Sequence, residues 1–405
     1  MRLTLINQFY APDISPTAKL AASLAEHRAA AGDRVTVLAG RGGYVPDAAR
    51  TAEESHGNPR VIRVWTPGLG KGTLARRLAD YLAFYLGALA RAATLPRQDG
   101  IVSLTTPPYI VSAAFLHRLL HRRTRIILWN MDCYPEVAEG GGALVEGGLL
   151  SRVFRLLNRA IFGRVDRLIC LDGAMRELLE ARYAPAGRSL PTLVIPNWEN
   201  QGDYPPREPT SRWGEAQRLG LDRQFVVLYM GNAGVGHRFD TVLAAAEVLR
   251  DRPFRFLFVG GGARWSDIQR RIDDRRALNV ALVSYVAAAE VKSVMGHASC
   301  GLITLRDEAR GVMSPSKLHS YLAMGLPILY IGPRGSNVDE AIVRFGCGAS
   351  FRHGDTEAVV AFLEGLRGDP DRLGDIRHRS RRAFDEAYCD QRTLPQFDLV
   401  LDGTR

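Results

Sequence analysis

Residues 3–39 read LTLINQFYAPDISPTAKLAASLAEHRAAAGDRVTVLA, and this stretch decides the fold. The apolar run 3–6 is typical of a buried strand, and the helix-forming run 17–31 ends at Gly32. Residues 34–39 then predict the next strand. Two strands separated by a helix at this spacing indicate a parallel pair with a crossover helix, which is the building unit of an α/β sheet.

The same alternation of strands and helices occurs in two series along the chain. A polar segment that contains prolines, 199–209, separates the two series. Further strands are predicted at 61–65, 101–104, 125–129, 192–195, 225–230, 255–259, 278–283, 301–304 and 327–331. We therefore predict an α/β protein of the doubly wound type, with two Rossmann-like parallel-sheet domains that face a cleft. We expect its chemistry in the loops that follow the strands.

The composition is that of a globular protein and excludes several classes. The 405 residues are 46% hydrophobic and 24% charged, and the net charge of +10 comes almost wholly from arginine. No apolar run reaches the ~18 residues of a membrane span, and the first apolar stretch is too short for a secretory signal. Basic runs interleaved with aromatic residues, which nucleic-acid binding would require, are missing. We expect a cytoplasmic protein without a nucleic-acid partner.

Cysteine and histidine give no sign of a metal site in the sequence. The five cysteines are scattered without a CxxC pair, which suits a reducing compartment. His117 and His121 lie four apart on a predicted helix, but the neighbouring Arg118, Arg122 and Arg123 would repel a cation. We therefore expect no bound metal.

Two glycine-rich loops follow strands of the second series. Residues 230–237 read MGNAGVGH, so Gly231, Asn232 and Gly234 present backbone amides that an anion could approach closely. The next strand ends in a run of three glycines at 260–262. Neither loop is a P-loop or a dinucleotide fingerprint. A tight turn without a ligand is the structural alternative.

Residues 314–327, SPSKLHSYLAMGLP, predict a helix that opens directly after a loop. Ser314 is a natural N-cap. Lys317 falls in the first turn, where its charge opposes the helix dipole unless an anion is bound nearby. A lysine that extends to solvent is the alternative. Ser316 and Ser320 could hydrogen-bond a phosphate or a ribose, or could simply be small helix residues.

These pieces together resemble the family 4 glycosyltransferases of the GT-B fold, in particular the branch that builds bacterial surface polysaccharides. Six motifs stand in the family's order along nearly the whole chain. They are NQFYAPD at 7–13, DCYPE at 132–136, VIPNW at 194–198, YMGNAG at 229–234, PSK at 315–317 and AMGLP at 323–327. Each motif is modest alone, but six at compatible spacing argue against a chance match.

The resemblance implies an N-terminal acceptor-binding domain at 1–198, a C-terminal nucleotide-sugar-binding domain at 199–375, and a final helix at 376–405 that returns to the first domain. It implies transfer from a nucleotide sugar, with a UDP-sugar as the expected donor, to a glycan or lipid-linked acceptor with retention of configuration. It also implies that neither a metal nor another cofactor is needed. A nucleotide-sugar epimerase of similar fold, a non-catalytic nucleotide-sugar-binding module and glycosylation of a natural-product aglycone stay open as alternatives.

Two features of the family are missing from this sequence. By position, the two glutamates that contact donor sugar and ribose fall on Val312 and Ser320, and the arginine and lysine that hold the diphosphate fall near Asn232 and His237. We therefore expect Lys317 to carry the charge that stabilises the leaving group. The predicted donor-binding residues are Gly231, Asn232, Gly234, His237, Arg238, Gly261, Gly262, Arg264, Ser314, Ser316 and Ser320.

Candidate acceptor-side residues lie in the first half of the chain. Asp132 follows a buried-looking strand, where its carboxylate could orient or deprotonate an acceptor hydroxyl. A carboxylate that caps the next turn is the alternative. Phe9, Asp13, Thr17 and Glu136 are further acceptor-side candidates.

Residues 74–86, from Leu74 to Leu86, predict an aromatic-rich helix flanked by arginines. This helix could rest on anionic lipid at the inner face of the membrane and receive a lipid-linked acceptor. It could equally be a core helix of the first domain, and the sequence leaves both interpretations open.

Overall fold

The computed structural model describes residues 1–13, 15–41, 57–68, 74–205, 213–275 and 279–403. Within these residues the strands form two parallel sheets, so the predicted fold class is confirmed. The first sheet contains β1 (Arg2–Ile6), β2 (Arg34–Gly40), β3 (Arg60–Val64), β4 (Gly100–Leu104), β5 (Arg125–Trp129), β6 (Arg167–Cys170) and β7 (Thr192–Val194). The second contains β8 (Phe225–Asn232), β9 (Phe254–Gly261), β10 (Val280–Val283), β11 (Cys300–Thr304), β12 (Ile328–Ile331) and β13 (Gly348–Phe351).

Helices cover the two sheets. Those of the first half are α1 (Pro16–Ala30), α2 (Leu74–Thr94), α3 (Ser112–Leu120), α4 (Glu136–Gly140), α5 (Leu149–Phe162) and α6 (Gly173–Tyr183). Those of the second half are α7 (Asp240–Val248), α8 (Trp265–Arg275), α9 (Val291–Gly296), α10 (Lys317–Ala323), α11 (Asn337–Phe345), α12 (Thr356–Gly368), α13 (Pro370–Ala383) and α14 (Asp390–Asp402). Among the helices described here, none has both the length and the apolar composition needed to cross a bilayer.

Each sheet reverses its direction of growth once. The first has the order β3-β2-β1-β4-β5-β6-β7, with the reversal between β1 and β4. The second has the order β10-β9-β8-β11-β12-β13, with the reversal between β8 and β11. Ligands of doubly wound sheets bind beyond the carboxyl ends of the strands at such switch points. The loops that follow β1, β4, β8 and β11 are therefore the places where a site is expected.

The strands form because their residues are apolar and are covered from both sides. All five residues of β4 and all five of β11 are buried, which is typical of the central strands of a parallel sheet. The strands of the first sheet share one hydrophobic core, whereas the second sheet has one core on each face.

The last helix of the chain, α14, packs against the first domain. Arg28 of α1 forms ion pairs with Asp398 at 2.8 Å and with Asp402 at 2.7 Å. Phe397 of α14 packs against the stacked pair Trp129 and Trp198, with ring centroids 4.6 and 5.6 Å away. The predicted boundary after residue 375 falls inside α13, which packs on the second sheet, so the segment that returns to the first domain is α14.

The loop between β11 and α10 brings the two domains together. The Cys133 amide, in the loop after β5, donates a hydrogen bond to the Val312 carbonyl oxygen at 3.0 Å. Gly311 has a φ of +73°, and a Cβ there would lie 2.5 Å from the carbonyl oxygen of Ala174 in α6. Only glycine lets this loop pass so close to the first domain.

Candidate active site

Lys317 is the first residue of α10 and lies against the end of β8. Its ammonium stands 4.6 Å from the centroid of the Tyr229 ring. Its Cε would be 3.3 Å from a Cβ on Gly231, so the side chain covers the glycine-rich end of β8, which we call the Gly231 turn. The side chain is half-buried, and this desolvation lowers the pKa of the ammonium to about 8. At neutral pH the group is therefore charged and only partly hydrated.

Tyr321, one helical turn after Lys317, fixes α10 on β8. Its hydroxyl donates to the Leu228 carbonyl oxygen at 3.1 Å and accepts from the Met230 amide at 2.8 Å. The ring fits because Gly301 has no side chain, since a Cβ there would lie 2.4 Å from a ring carbon of Tyr321. The position of Lys317 over the end of β8 is thus set by a buried tyrosine and a glycine on β11.

The two glycine-rich segments, predicted as loops, extend β8 and β9 and pair with each other in the sheet. Gly231 has a φ of +122° and Gly260 a φ of +139°, and a Cβ on Gly260 would lie 2.2 Å from the Gly231 carbonyl oxygen. A Cβ on Gly262 would lie 2.3 Å from the side-chain oxygen of Asn232. The Ala233 amide donates to the Gly261 carbonyl oxygen at 2.6 Å. Gly260, Gly261 and Gly262 therefore have a packing role that does not depend on a ligand.

His237 lies beside Lys317 but brings no positive charge. Its Nδ1–H donates to the Thr304 carbonyl oxygen at 2.6 Å, which leaves Nε2 as an acceptor. Burial, together with the nearby Lys317 ammonium, lowers the pKa of the imidazole to about 3. A neutral histidine cannot replace the basic residue that the family resemblance places near this position.

Arg238 and Arg264, predicted to help hold the diphosphate, line a neighbouring cavity. This cavity has a volume of about 540 Å³, and its lining in the described part of the chain includes His237 but not Lys317. Arg238 pairs with Asp240 at 2.8 Å, and Arg264 pairs with Asp267 at 3.2 Å. Both guanidinium groups already have a carboxylate, so Lys317 is better placed to meet an anion at the Gly231 turn.

The three predicted serines around α10 differ in their surroundings. Ser314 was expected to be the N-cap, but α10 begins at Lys317 and the Ser314 hydroxyl is hydrogen-bonded to Asp172 of the first domain. Ser316 precedes the helix and is exposed. The Ser320 hydroxyl donates to the Lys317 carbonyl oxygen at 3.2 Å. Because α10 has only seven residues, the lysine charge, and not a helix dipole, must account for any anion binding here.

Asp132 faces this region from the first domain. It forms an isolated antiparallel bridge with Met313, and its amide donates to the Thr105 hydroxyl oxygen at 3.3 Å. The carboxyl is half-buried, and burial raises its pKa to about 6. Met313, the partner of Asp132 in this bridge, stands four residues before Lys317, so the bridge ties the Asp132 loop to the segment that leads into α10.

Loops after three neighbouring strands meet beside Asp132. The Gln8 amide, after β1, donates to the Thr106 carbonyl oxygen, after β4, at 2.9 Å. The same β1–α1 loop carries the predicted Phe9 and Asp13, both buried, and leads to the half-buried Thr17. The Asp13 carboxylate interacts with the guanidinium of Arg63, on β3, which gives it a structural role in holding the loop.

Glu136, predicted on the acceptor side, is bound to residues of another helix. It is buried, and its Oε1 accepts hydrogen bonds from the Tyr183 hydroxyl and from Arg182 at 3.0 Å. Both partners belong to α6. The Glu136 carboxylate therefore joins α4 to α6, and its role on the acceptor side stays a prediction.

Val312 stands at the position of one missing family glutamate, and it packs between the domains. Its side chain is buried with the core of the first domain, and its carbonyl oxygen accepts the Cys133 amide. An apolar residue here strengthens the interdomain contact and leaves no acid at that point of the cleft.

Tyr285 is a candidate site residue that sequence reasoning missed. It follows β10, its side chain is 64% exposed, and its ring lies 3.0 Å from the position of a Cβ on Gly261. An exposed aromatic ring beside the glycine loops offers a stacking surface for a planar group. A tyrosine directly after a predicted strand was the available signal.

Groups of histidine, cysteine, aspartate or glutamate were also sought as metal ligands. Across the described ranges, no three of these residues come together where they could hold a metal ion.

Two family profiles match the chain, the glycosyl transferase 4-like domain over residues 17–198 and the glycosyl transferases group 1 over residues 224–368. The probable glycosyltransferase WbjE of Pseudomonas aeruginosa is 23% identical over 327 residues, which cover 80% of this chain and 79% of that protein. Two solved structures are similar along their whole length. WaaG, a glycosyltransferase involved in lipopolysaccharide biosynthesis, has a TM-score of 0.66 at 16% identity, with 99% of this chain and 100% of that chain covered. Anabaena Alr3699/HepE, in complex with UDP and glucose, has a TM-score of 0.70 at 14% identity, with 100% of both chains covered.

Proposed function

The chain belongs to the family 4 glycosyltransferases of the GT-B fold, and on that premise we propose that it moves a sugar from UDP to a hydroxyl of a glycan or lipid-linked acceptor, with retention of configuration. Membership in this family favours transfer over the epimerase alternative. The observation that carries the proposal is the Lys317 ammonium, held between the Tyr229 ring and the Gly231 turn at the switch point of the second sheet.

On the donor side, the chemistry requires a fixed positive charge. As the bond between the anomeric carbon and the phosphate oxygen breaks, its electron pair goes to the diphosphate and the sugar ring becomes positive. A preorganised cation that meets the developing negative charge is the largest catalytic effect expected here. Lys317 supplies this charge, and the partly dry surroundings strengthen the interaction.

On the acceptor side, Asp132 accepts a hydrogen bond from the attacking hydroxyl and orients it. As the acceptor oxygen forms a bond to the anomeric carbon on the face that the phosphate leaves, its proton moves from the hydrogen bond with Asp132 to a phosphate oxygen. Attack on the leaving-group face retains the configuration. No covalent enzyme intermediate is needed.

Tyr285 gives the donor nucleotide a place for its base. Its exposed ring stands next to Gly261, and the β9 loop is joined to the Gly231 turn by hydrogen bonds and packing. If the base stacks on this ring, the diphosphate can extend along the same loops toward Lys317. UDP is proposed because the similar structure of Alr3699/HepE contains UDP and glucose.

The acceptor class follows from the family resemblance and from the relatives. WaaG is involved in lipopolysaccharide biosynthesis. We extend this to a surface glycan for the present chain and place the reaction in the cytoplasm, at the inner face of the membrane, with α2 as a contact. That the reaction requires no metal stays a prediction.

The Asp132 carboxyl and the Lys317 ammonium together predict a bell-shaped dependence of kcat/KM on pH. Below about 6, protonated Asp132 no longer accepts the acceptor hydroxyl. Above about 8, Lys317 loses its charge. kcat/KM reports the free enzyme and should fall on both sides of this window. In Lys317→Arg the alkaline limb should move beyond the measurable range, because arginine keeps its proton. An alkaline limb that stays near pH 8 in this variant would contradict the assignment.

UDP should stabilise the folded protein against heat, whereas uridine should have little effect. At a UDP concentration about 100 times Kd, the free energy of unfolding rises by about 2.7 kcal/mol by mass action. A thermal-shift titration with UDP and uridine measures this difference. Equal stabilisation by uridine would show that the diphosphate contributes nothing.

Turnover of the donor tests the proposed function itself. UDP-sugars are incubated with the protein in the presence and absence of candidate glycan and lipid-linked acceptors, and the product is examined for its anomeric configuration. We expect UDP release that depends on the acceptor and a product of unchanged configuration. An inverted product would contradict the mechanism, and consumption of the donor without any acceptor would contradict transfer.

A further inference from the structure

Three helices, α2, α3 and α5, form one layer on the first sheet. His117 of α3 hydrogen-bonds through Nδ1 to the Ala92 carbonyl oxygen of α2 at 2.8 Å. Tyr109, just before α3, stacks on Phe154 of α5 with ring centroids 5.3 Å apart and also interacts electrostatically with Tyr85 of α2. The outer sides of these three helices therefore belong to one continuous surface, which we call the helical face.

The helical face exposes an unusual number of large apolar side chains. On α5, Leu149 is 82% exposed and Leu156 is 60% exposed, and on α2, Leu82 is 60% exposed while Phe84 on the opposite side is fully buried. The exposed apolar residues of the three helices are Leu78, Leu82, Leu86, Leu119, Leu120, Leu149, Leu150, Val153, Leu156 and Leu157. Scattered single residues of this kind are ordinary, but a contiguous set on neighbouring helices marks an interaction surface.

The charge of this face is strongly one-sided. Residues 74–94, 112–123 and 149–162 together contain nine arginines and a single acidic residue, Asp80. Glu139 and Asp166, which lie outside these ranges, pair with Arg155 and Arg118. Exposed arginines such as Arg152 and Arg159 still stand among the leucines of α5. The face carries leucines and arginines side by side and almost no acidic residue. It therefore complements a surface that has an anionic outer layer over an apolar interior.

We propose that the helical face docks on an anionic phospholipid bilayer, with α5 as its main apolar anchor and α2 beside it. The leucines enter the boundary between headgroups and acyl chains, and the arginines meet lipid phosphates. This inference extends the single contact predicted for residues 74–86 to the surface of three helices. In this interpretation the outer side of α2 contacts lipid, and the inner side of α2 is part of the core.

The docking surface is close to the acceptor-side carboxylate. A small cavity has Asp132 on its wall together with Tyr109, Asn158 and Phe162, so only the width of α5 separates the leucines from Asp132. A bilayer on the helical face would hold the sugar end of a lipid-linked acceptor near the cleft. The inference rests on the proposed function to this extent, and it selects the lipid-linked class among the proposed acceptors.

Flotation with vesicles tests the docking. The wild-type protein is mixed with vesicles of phosphatidylcholine alone or of phosphatidylcholine and phosphatidylglycerol in equal parts, at low and high salt. We expect flotation with the anionic vesicles only, and we expect it to weaken with salt because the ionic part is screened over roughly 10 Å at 0.1 M. Failure to bind the anionic vesicles, or equal binding to both compositions, would overturn the proposal.

Paired substitutions separate this face from the rest of the protein. Leu149→Ser/Leu156→Ser should weaken partitioning to anionic vesicles at least about tenfold, and Arg152→Gln/Arg159→Gln should reduce the salt dependence. The matched control is Val248→Ser/Val343→Ser, because these two valines are 60% and 76% exposed on the second domain. Unchanged flotation of the leucine variant would contradict the proposal.

Two further measurements distinguish the other outcomes. Sedimentation velocity shows whether the leucine variant turns a dimer into a monomer, which would mean that a second copy, and not lipid, covers the face. The thermal shift with UDP should be the same in the leucine variant and the wild type. If UDP gives no shift in either protein while flotation persists, the donor assignment fails and the docking surface stands.

Discussion

Lys317→Ala is expected to lower kcat about 10²-fold in an assay with saturating UDP-sugar and acceptor. The ammonium meets the negative charge that develops on the leaving diphosphate. Removal of one preorganised contact of this kind costs ~3 kcal/mol in the transition state. Steady-state release of UDP measures the effect.

The matched control for this substitution is Lys292→Ala. The Lys292 ammonium also lies against an aromatic ring in the second domain, 5.4 Å from the centroid of Tyr204, but on α9 and away from the Gly231 turn. This variant loses the same charge and the same type of contact, so its kcat should equal that of the wild type. Wild-type turnover by Lys317→Ala would refute the role of Lys317.

Asp132→Asn is expected to lower kcat by about 10²-fold or more. The change keeps the shape of the side chain and removes the negative charge that accepts the hydroxyl hydrogen bond. Because the proposed donor site lies in the second domain, the KM for UDP-sugar should change little. The assay is the same release of UDP, measured at several pH values.

Two measurements make the Asp132 result specific. The thermal shift caused by UDP should persist in Asp132→Asn, whereas Lys317→Ala should reduce it. The acid limb of the pH profile near pH 6 should disappear together with the carboxylate. An Asp132→Asn variant that keeps both its kcat and its acid limb would show that another group orients the acceptor.

The strand pattern was sufficient to predict the fold, because parallel strands buried on both faces leave continuous apolar runs. Two strands were not predicted. β6 has only four residues, Arg167–Cys170, and lies between helical segments. β13, Gly348–Phe351, is an edge strand whose four residues are all half-buried, so it carries few apolar side chains. Partial burial and few apolar side chains remove the signal from β13, whereas length alone does not explain β6, because β7 has three residues and was predicted.

The candidate site could be predicted where one local pattern determines the position. Lys317 follows the loop after β11 and Gly231 lies at the end of β8, and the structure brings them into contact. That Lys317 binds a diphosphate stays a prediction. Tyr285 was overlooked because a single tyrosine after a strand has no periodic or motif signal.

The remaining positions depend on partners that are distant in sequence. The Glu136 carboxylate is hydrogen-bonded by Tyr183 and Arg182. The Ser314 hydroxyl is hydrogen-bonded to Asp172, and the Arg238 guanidinium pairs with Asp240. Whether a carboxylate, hydroxyl or guanidinium is available to a substrate depends on such pairings. A local pattern in one chain does not contain them.

A crystal structure of the protein with UDP tests most directly whether the diphosphate is held between Lys317 and the Gly231 turn. We expect a phosphate oxygen about 3 Å from the Lys317 Nζ and the uracil ring stacked on Tyr285. A diphosphate seated instead between Arg238 and Arg264 in the 540 Å³ cavity, with Lys317 not in contact, would contradict the proposed site.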